Sequence, residues 1–259
     1  MDANDIFESL ITTEGRSDPY PLYAALHRLG RAAVPVTGAV IVHGYDAIDA
    51  VLRDPAFLVA DADRFDTGDD GTGHGDAGHG GEAVLSAAEL LDNLTLLLVA
   101  GFETTTNLLG NGLRVILQQP GLGTAVRDGS VPVPAFVEEV LRYDSPVQLT
   151  SRRRADPAEV GGVPVPGGTD VITLLGAGNR DPRRFAAPDT FDPLRPDGAT
   201  LSFGAGAHFC LGAALARLEG AIAFPRLLRR FPRLAAAGEP ERRPGLVLRG
   251  FETLPITLT

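Results

Sequence analysis

The sequence predicts a mainly α-helical fold with a small β component, and three features indicate it. Residues 86–89 have the Ser-x-x-Glu pattern of a capping box, and the apolar-rich residues 90–118 after it should form one long, largely buried helix. Residues 134–143 have the spacing of a compact amphipathic helix. Glycine and proline pairs then separate short strand-like segments as far as Leu175.

Shorter elements are expected on both sides of this region. They are a helix at 18–30, a hairpin of 33–36 and 39–43, a helix at 45–53, a final helix at 211–231 and strands within 245–259. Residues 176–196 contain several turn-forming Asp-Pro pairs and should be irregular. Pro225 lies inside the final helix and should kink or break it, because proline lacks the backbone donor.

One polar tract divides the chain. Residues 61–82 are rich in Gly, Asp and His and have almost no apolar side chains to bury, which predicts a disordered linker. We therefore expect an N-terminal part at 1–60, a linker at 61–83 and a larger C-terminal part at 84–259.

Composition excludes several classes of partner. The chain has 259 residues, with 23 basic and 33 acidic side chains and a formal net charge of -10, which disfavours binding to nucleic acid or to an anionic membrane surface. The single cysteine cannot form an internal disulfide, so a cytoplasmic location is expected. No apolar run approaches the length of a membrane-spanning helix, and the first residues lack the features of a signal peptide.

The single cysteine, Cys210, lies in a glycine-punctuated loop at residues 203–212 that leads into the final helix. Unpaired N–H groups and the helix dipole favour negative charge at such a position, which suits a thiolate. Glycines let the backbone approach a flat ligand closely. For an arbitrary cysteine, a buried structural residue beside a tight turn would be the alternative.

A second unusual segment, residues 100–106, lies inside the long helix. Its glycine and three threonines are poor choices for a helix interior, so the segment serves something other than helical propensity. Gly101 permits a local widening where a small ligand could sit, and the acid Glu103 beside the alcohol Thr104 could relay protons. The alternative is a threonine-capped break between two helices.

Two further charged positions are candidates. Glu139 and Arg142 are spaced i, i+3 on one helix, a pattern that taken alone is common and weak. Arg152 could bind a carboxylate through paired hydrogen bonds. The alternative is that the arginines at 152–154 form a solvated cluster. If the binding position lies one residue further along the chain, Arg153 would take this role instead.

Taken in order, these segments resemble the bacterial soluble type of the cytochrome P450 family of haem-thiolate monooxygenases. The resemblance implies haem b, iron protoporphyrin IX, as cofactor and Cys210 as its axial metal ligand. It implies that the cofactor-binding positions are Cys210, His208, Arg152, Phe203, Gly204, Gly206, Gly212, Ala100 and Gly101. It also implies that Glu103 and Thr104 deliver protons, and that Glu139 and Arg142 form a pair that supports the haem pocket.

The chain departs from the family pattern in two places. Where the family usually offers a third arginine for the Glu139–Arg142 pair, this chain has Thr190, and Arg183, Arg184 or Arg195 could substitute. The helices that normally lie between the N-terminal sheet region and the oxygen-binding helix are replaced by the short polar tract. The resemblance therefore implies an internally truncated P450 fold whose pocket is open on one side.

The implied function is insertion of one oxygen atom from O2 into a small apolar organic substrate of secondary metabolism, with electrons from a ferredoxin-type or other donor. The alternative is a catalytically impaired relic or interaction module that binds haem weakly or not at all. A third hypothesis is that a second chain, such as another copy in a homodimer, covers the exposed face.

Overall fold

The computed structural model describes residues 1–35, 37–59, 85–196 and 198–258. The helices are α1 Ala3–Leu10, α2 Thr13–Ser17, α3 Tyr20–Leu29, α4 Tyr45–Arg53, α5 Ala87–Gln118, α6 Leu122–Asp128, α7 Val133–Tyr143, α8 Leu175–Gly178 and α9 Ala213–Arg230. The strands are β1 Ala32–Ala33, β2 Val40–Val42, β3 Leu58–Val59, β4 Thr150–Arg153, β5 Ala158–Val160, β6 Val163–Val165, β7 Asp170–Thr173, β8 Leu234–Ala236, β9 Glu241–Arg242, β10 Phe251–Thr253 and β11 Ile256–Leu258. Helix clearly outweighs strand, as the sequence predicts.

One five-stranded sheet joins the N-terminal part to the middle of the chain. Its strand order is β1-β2-β7-β4-β3, with β2 and β7 parallel and the other neighbours antiparallel. The expected hairpin is confirmed, because β1 and β2 pair directly. Three two-stranded sheets, β5-β6, β8-β11 and β9-β10, complete the strand pairings of the described residues.

The helical core packs α5, α6, α7 and α9 around phenylalanine rings. Phe136 of α7 contacts Phe224 of α9 edge to face, with ring centroids 5.0 Å apart. A side chain at Gly112 of α5 would overlap the Phe224 ring, so glycine is what lets these two helices approach so closely. This packing fixes where the chain enters α9, and so positions the cysteine loop that precedes it.

The helix α5 begins where the sequence predicts. Ser86 accepts a hydrogen bond from the Glu89 N–H, and the Glu89 carboxylate accepts one from the Ser86 N–H, so the capping box is formed. The expectation that the whole helix is largely buried is wrong. Every residue from Ala87 to Phe102 is exposed, and burial begins at Asn107 and continues to Ile116. A run of apolar residues does not by itself supply neighbours to cover it.

Other expectations need correction. The helix α9 is continuous through Pro225 and is not broken there. The helices α1, α2, α6 and α8 were not anticipated, and α8 occupies the start of the segment expected to be irregular. In the capping box of α1, the carboxylates of Asp2 and Asp5 each accept a hydrogen bond from the backbone N–H of the other. The linker predicted at 61–83 lies outside the described residues, which resume at Leu85. Across the described ranges, none of the helices combines the length and apolarity needed to traverse a lipid bilayer.

Candidate functional site

The cysteine loop is a short, tightly closed segment. A 3-10 turn at Gly206–His208 precedes Cys210, and the Cys210 N–H donates to the Phe203 carbonyl at 2.9 Å. The helix α9 then starts at Ala213 without a side-chain cap on its first N–H groups. Cys210 is a free thiol on an exposed residue. The alternative of a structural cysteine sealed in the core is therefore excluded.

Two glycines give this loop its shape. Gly204 and Gly206 have φ of 70° and 69°, the left-handed region that disfavours side chains. A Cβ on Gly206 would in addition overlap the Leu52 carbonyl at the end of α4. The loop is thus held against the N-terminal part of the chain, with Phe203 beneath the Arg217 guanidinium, whose central carbon lies 4.4 Å from the ring centroid.

Polar contacts attach the start of the loop to α7. Ser202 donates to the Leu141 carbonyl at 2.7 Å, and Asn179 donates to the Ser202 hydroxyl at 2.9 Å. The Asn179 side-chain oxygen accepts from the Leu201 N–H at 2.7 Å. All of these side chains are buried, where hydrogen bonds that are lost would leave costly unpaired groups. These buried hydrogen bonds therefore hold the start of the loop against α7.

In the threonine-rich segment, Thr104 donates its hydroxyl to the Ala100 carbonyl at 2.7 Å, and Thr106 makes the equivalent bond to Phe102 at 2.8 Å. Such bonds compete with the helical ladder. The helix is nevertheless continuous here, which excludes a break between two helices. A Cβ on Gly101 would meet nothing within 4 Å, so open space adjoins the segment at this position.

Glu103 forms an ion pair. Arg243, between β9 and β10, donates to the Glu103 carboxylate at 2.6 Å, and its Nε lies 3.8 Å from Glu252. The sequence analysis missed Arg243 because nothing in the pattern of residues links two positions 140 apart. The acid proposed to deliver protons is therefore ion-paired in this structure.

The Glu139–Arg142 pair is completed by Arg195. Arg142 binds Glu139 through two hydrogen bonds of 2.8 Å, and the Arg195 Nε donates to Glu139 at 2.9 Å. Of the three arginines considered, Arg195 is the one that fills the place of the missing third arginine. Thr190 still contributes, because its carbonyl accepts from Arg142 at 3.1 Å and from Arg195 at 3.0 Å.

The three arginines at 152–154 differ in their partners. Arg153 is ion-paired with Asp170, and Arg154 with Asp54. Arg152 is buried and donates only to the Thr150 hydroxyl and the Ser151 carbonyl, with no carboxylate beside it in the described ranges. Burial lowers the pKa of the Arg152 guanidinium. A buried cation without a counter-ion is suited to an anionic ligand group.

His208 is exposed at the end of the 3-10 turn, two residues before Cys210. Within the described residues, neither of its ring nitrogens takes part in a hydrogen bond. It is therefore accessible to a ligand that lies over the loop. No group of three or more His, Cys, Asp or Glu side chains in the described ranges is arranged to hold a metal ion, so a cysteine-bound metal here would need a ligand group other than these residues.

An extensive apolar surface adjoins these residues. The exposed side chains of α5 are Leu90, Leu91, Leu94, Leu96, Leu97, Leu98, Val99 and Phe102, and those around the start of α9 are Leu211, Leu215, Leu218 and Ile222. Phe102 and Leu98 are each 71% exposed. We call these twelve residues the apolar face. Patches of this extent usually mark a binding or interaction surface.

Comparisons with known proteins agree on one family. The sequence profile of the cytochrome P450 family matches residues 133–249. Cytochrome P450 107B1 of Saccharopolyspora erythraea is 47% identical over 176 residues, which are 66% of this chain and 44% of the relative. The 6-deoxyerythronolide B hydroxylase of the same organism is 42% identical over 177 residues, 67% of this chain and 44% of the relative.

Solved structures give the same result for the fold. The ligand-free structure of CYP164A2 of Mycobacterium smegmatis is similar with a TM-score of 0.85 at 26% identity, and the alignment covers 98% of this chain and 100% of that chain. The chain belongs to the cytochrome P450 family, and its fold is a P450 fold in internally truncated form. It spans less than half the length of the curated relatives named above.

Family members bind haem, and the residues present fit that group. The Cys210 thiol is exposed at the uncapped start of α9, and Arg152 offers a buried guanidinium without a carboxylate partner in the described part of the chain. Gly101 leaves room beside the helix, and apolar side chains such as Leu98 and Phe102 flank it. The surface is open, because the first half of α5 has no covering element among the described residues.

Proposed function

We propose that this chain is a haem-thiolate monooxygenase that inserts one oxygen atom from O2 into a small apolar organic substrate, with electrons from a ferredoxin-type or other donor. The observation that carries the proposal is the exposed Cys210 thiol at the end of a glycine-shaped loop, directly before the uncapped start of α9. Membership of the P450 family supports the general activity.

Four sets of residues would hold the cofactor. Cys210 would be the axial ligand of haem b, and Arg152 and His208 would bind its propionates. Gly204 and Gly206, with Phe203 and Gly212, would allow the loop backbone to lie close to the ring, and Ala100 and Gly101 would face it from α5. When bound, the haem supplies the redox-active iron at which O2 is activated.

Glu103 and Thr104 would move protons to this site. The Thr104 hydroxyl donates to the Ala100 carbonyl, so its oxygen keeps acceptor capacity. Glu103 is partly exposed, with 28% of its side-chain surface accessible, and can exchange protons with water. Its ion pair with Arg243 would have to loosen for the carboxylate to reach the hydroxyl.

The substrate class follows from the apolar face. Leu98 and Phe102 offer large exposed apolar surfaces beside Gly101, which suit an apolar molecule better than a charged one. The likeness to 6-deoxyerythronolide B hydroxylase supports hydroxylation of an organic product of secondary metabolism.

A second copy of the chain is the proposed cover for the apolar face. Its twelve side chains are each at least 42% exposed, and contacts with a second copy would remove them from water. Sedimentation of the full chain should therefore show a dimer, and Leu98→Gln should shift it to monomer. Leu194→Gln, a change at an equally exposed leucine in a loop, should leave the dimer intact.

Oxygen insertion is tested with isotopically labelled O2. The haem-loaded chain, a ferredoxin-type reductase system and a panel of apolar substrates should yield product that carries one labelled oxygen atom. Thr104→Val should reduce labelled product at least tenfold while reductant is still consumed. Thr106→Val is the matched control, because Thr106 makes the same backbone bond two positions beyond Thr104.

The second candidate function is a catalytically impaired relic or interaction module that binds haem weakly or not at all. The open apolar face favours it, because an incomplete shell weakens both folding and haem retention. A chain that binds haem through Cys210 but yields no labelled product with any substrate would support this candidate over the first.

A further inference from the structure

A polar cleft of about 330 Å³ has no residue of the cysteine loop or of the segment 100–106 in its lining. It is bounded by the start of α3, the C-terminal end of α5, the end of α7 and the strands β9 and β10, the last two of which adjoin the Arg243 that pairs with Glu103. Its lining includes four arginines, Arg114, Arg180, Arg242 and Arg249. None of the lining residues belongs to the proposed haem site.

Two of these arginines share one carboxylate. Asp144 accepts from Arg249 at 2.6 Å, from Arg242 at 2.9 Å and from the Tyr20 hydroxyl at 2.8 Å. Burial would raise the pKa of Asp144, but the two guanidiniums outweigh it and hold that pKa well below its usual range. Burial lowers the pKa of Arg242 even though Asp144 opposes the change. Asp144 holds the pKa of Arg249 above its ordinary value, so this one carboxylate compensates Arg249 more fully than Arg242.

Arg180 and Arg114 add further positive charge to the cleft. Arg180 lies between the rings of Tyr20 and Tyr143 and pairs with Asp189, a carboxylate that is 66% exposed. Arg114 is half-buried and has no hydrogen-bonding or ionic partner in the part of the chain that the structure describes. Asp18 adds one further carboxylate to the lining, but it is exposed, so water and salt screen its charge.

Neutral donors stand beside Arg114. Gln118 follows it by one turn of α5, on the same helix face, and both line the cleft. Ser17 lines the opposite side, at the start of the segment that leads into α3. The cleft thus combines Arg114, which has no counter-ion among the described residues, with the partly buried Arg242 and with amide and hydroxyl donors. Arg242 donates to the Asn111 side-chain oxygen at 3.0 Å as well as to Asp144. That set of donors suits an oxyanion with several acceptor atoms.

We propose that this cleft binds a small molecule through a phosphate group, held chiefly by Arg114 and Arg242. The fork geometry of guanidinium gives paired hydrogen bonds to phosphate oxygens, and a dianion offsets the excess of positive charge better than a single carboxylate does. The inference does not depend on haem binding or on oxygenase activity, and its test needs neither.

The test is calorimetric titration of the full chain with inorganic phosphate, pyrophosphate and acetate at constant ionic strength set by sodium chloride. Saturable binding of phosphate and pyrophosphate is expected, with acetate at least tenfold weaker. Arg114→Gln should weaken phosphate binding about tenfold, the loss of roughly one charge-assisted contact. Arg226→Gln, which removes the same charge from an exposed position on α9, should leave it unchanged.

Three results would overturn the proposal. They are the absence of saturable phosphate binding, equal affinity for acetate, and equal phosphate affinity in the Arg114 variant and the wild type. If Arg114→Gln melts at a lower temperature than wild type, Gln118→Leu serves as the second variant, and it should weaken phosphate binding several-fold. Unchanged affinity in that variant would also contradict the site.

Discussion

Gly206 lies so close to the end of α4 that a Cβ atom on it would overlap the Leu52 carbonyl oxygen. Gly204 has nearly the same backbone conformation, with φ of 70° against 69°, but its Cβ position has no neighbour closer than the His208 carbonyl at 3.8 Å. The two glycines of one loop therefore differ in a single respect, the space around them.

That difference predicts unequal effects of alanine. Gly204→Ala should lower the free energy of unfolding by about 1 kcal/mol, the cost of a left-handed alanine. Gly206→Ala should cost considerably more, because the backbone of α4 must also move. Urea denaturation of the two variants measures the difference. Equal losses would mean that the contact between the loop and α4 does not constrain the loop.

The third arginine of the buried ion-pair network gives a second prediction. Arg195→Met removes one of two cations that face Glu139, a carboxylate with 2% of its side-chain surface exposed. The free energy of unfolding should fall by about 3 kcal/mol, because a buried charge loses a partner. Arg226→Met, at an exposed site, should change it by less than about 0.5 kcal/mol. A stable Arg195 variant would show that Arg142 and the Asp192 N–H, which donates to Glu139 at 2.7 Å, satisfy that carboxylate without Arg195.

Arg152 and Arg153 offer a matched pair on one strand. Arg152→Met should leave the haem-free protein as stable as wild type or more so, because it removes a buried cation that has no carboxylate beside it in the described ranges. It should weaken haem binding about tenfold through the loss of a charge-assisted contact. Arg153→Met breaks the pair with Asp170 and should leave haem affinity unchanged. Haemin titration followed by Soret absorbance separates the two outcomes.

The buried imidazole of His43 should make the free energy of unfolding depend on pH. Its ring is fully buried, both nitrogens lack partners among the described residues, and burial lowers its pKa from 6.5 to about 3. Between those two values the unfolded chain binds a proton that the folded protein does not. The free energy of unfolding should therefore fall as pH is lowered from about 6.5, by up to about 1.4 kcal/mol per pH unit.

Replacing this ring isolates its contribution. His43→Phe should be more stable than wild type, and its advantage should grow between pH 7 and pH 5. His208→Phe, at an exposed histidine, should show no such growth. Equal pH slopes for wild type and His43→Phe would mean that the buried imidazole does not control acid stability.

Local signals predicted much of the fold and of the candidate site. The capping box at Ser86 marked the start of α5, and the run of glycines around Cys210 marked a tight loop before a helix. These features depend on residues within a few positions of each other, so the sequence displays them directly.

Features that depend on distant residues were missed or wrong. The exposure of α5 from Ala87 to Phe102 depends on which elements cover it, which a run of apolar residues does not reveal. Arg195 reaches Glu139 across 56 positions, and Arg243 reaches Glu103 across 140. Pro225 was expected to kink or break α9, and the break is absent. Tertiary packing decides each of these cases.

The most direct test of the central claim is the spectrum of the reduced, haem-loaded chain under carbon monoxide. If the Cys210 thiolate binds haem iron, the Soret band should show the red shift that thiolate ligation produces, and Cys210→Ala should lose it while haem still binds near Arg152. A wild-type chain without the shifted band, or an alanine variant that keeps it, would contradict the claim.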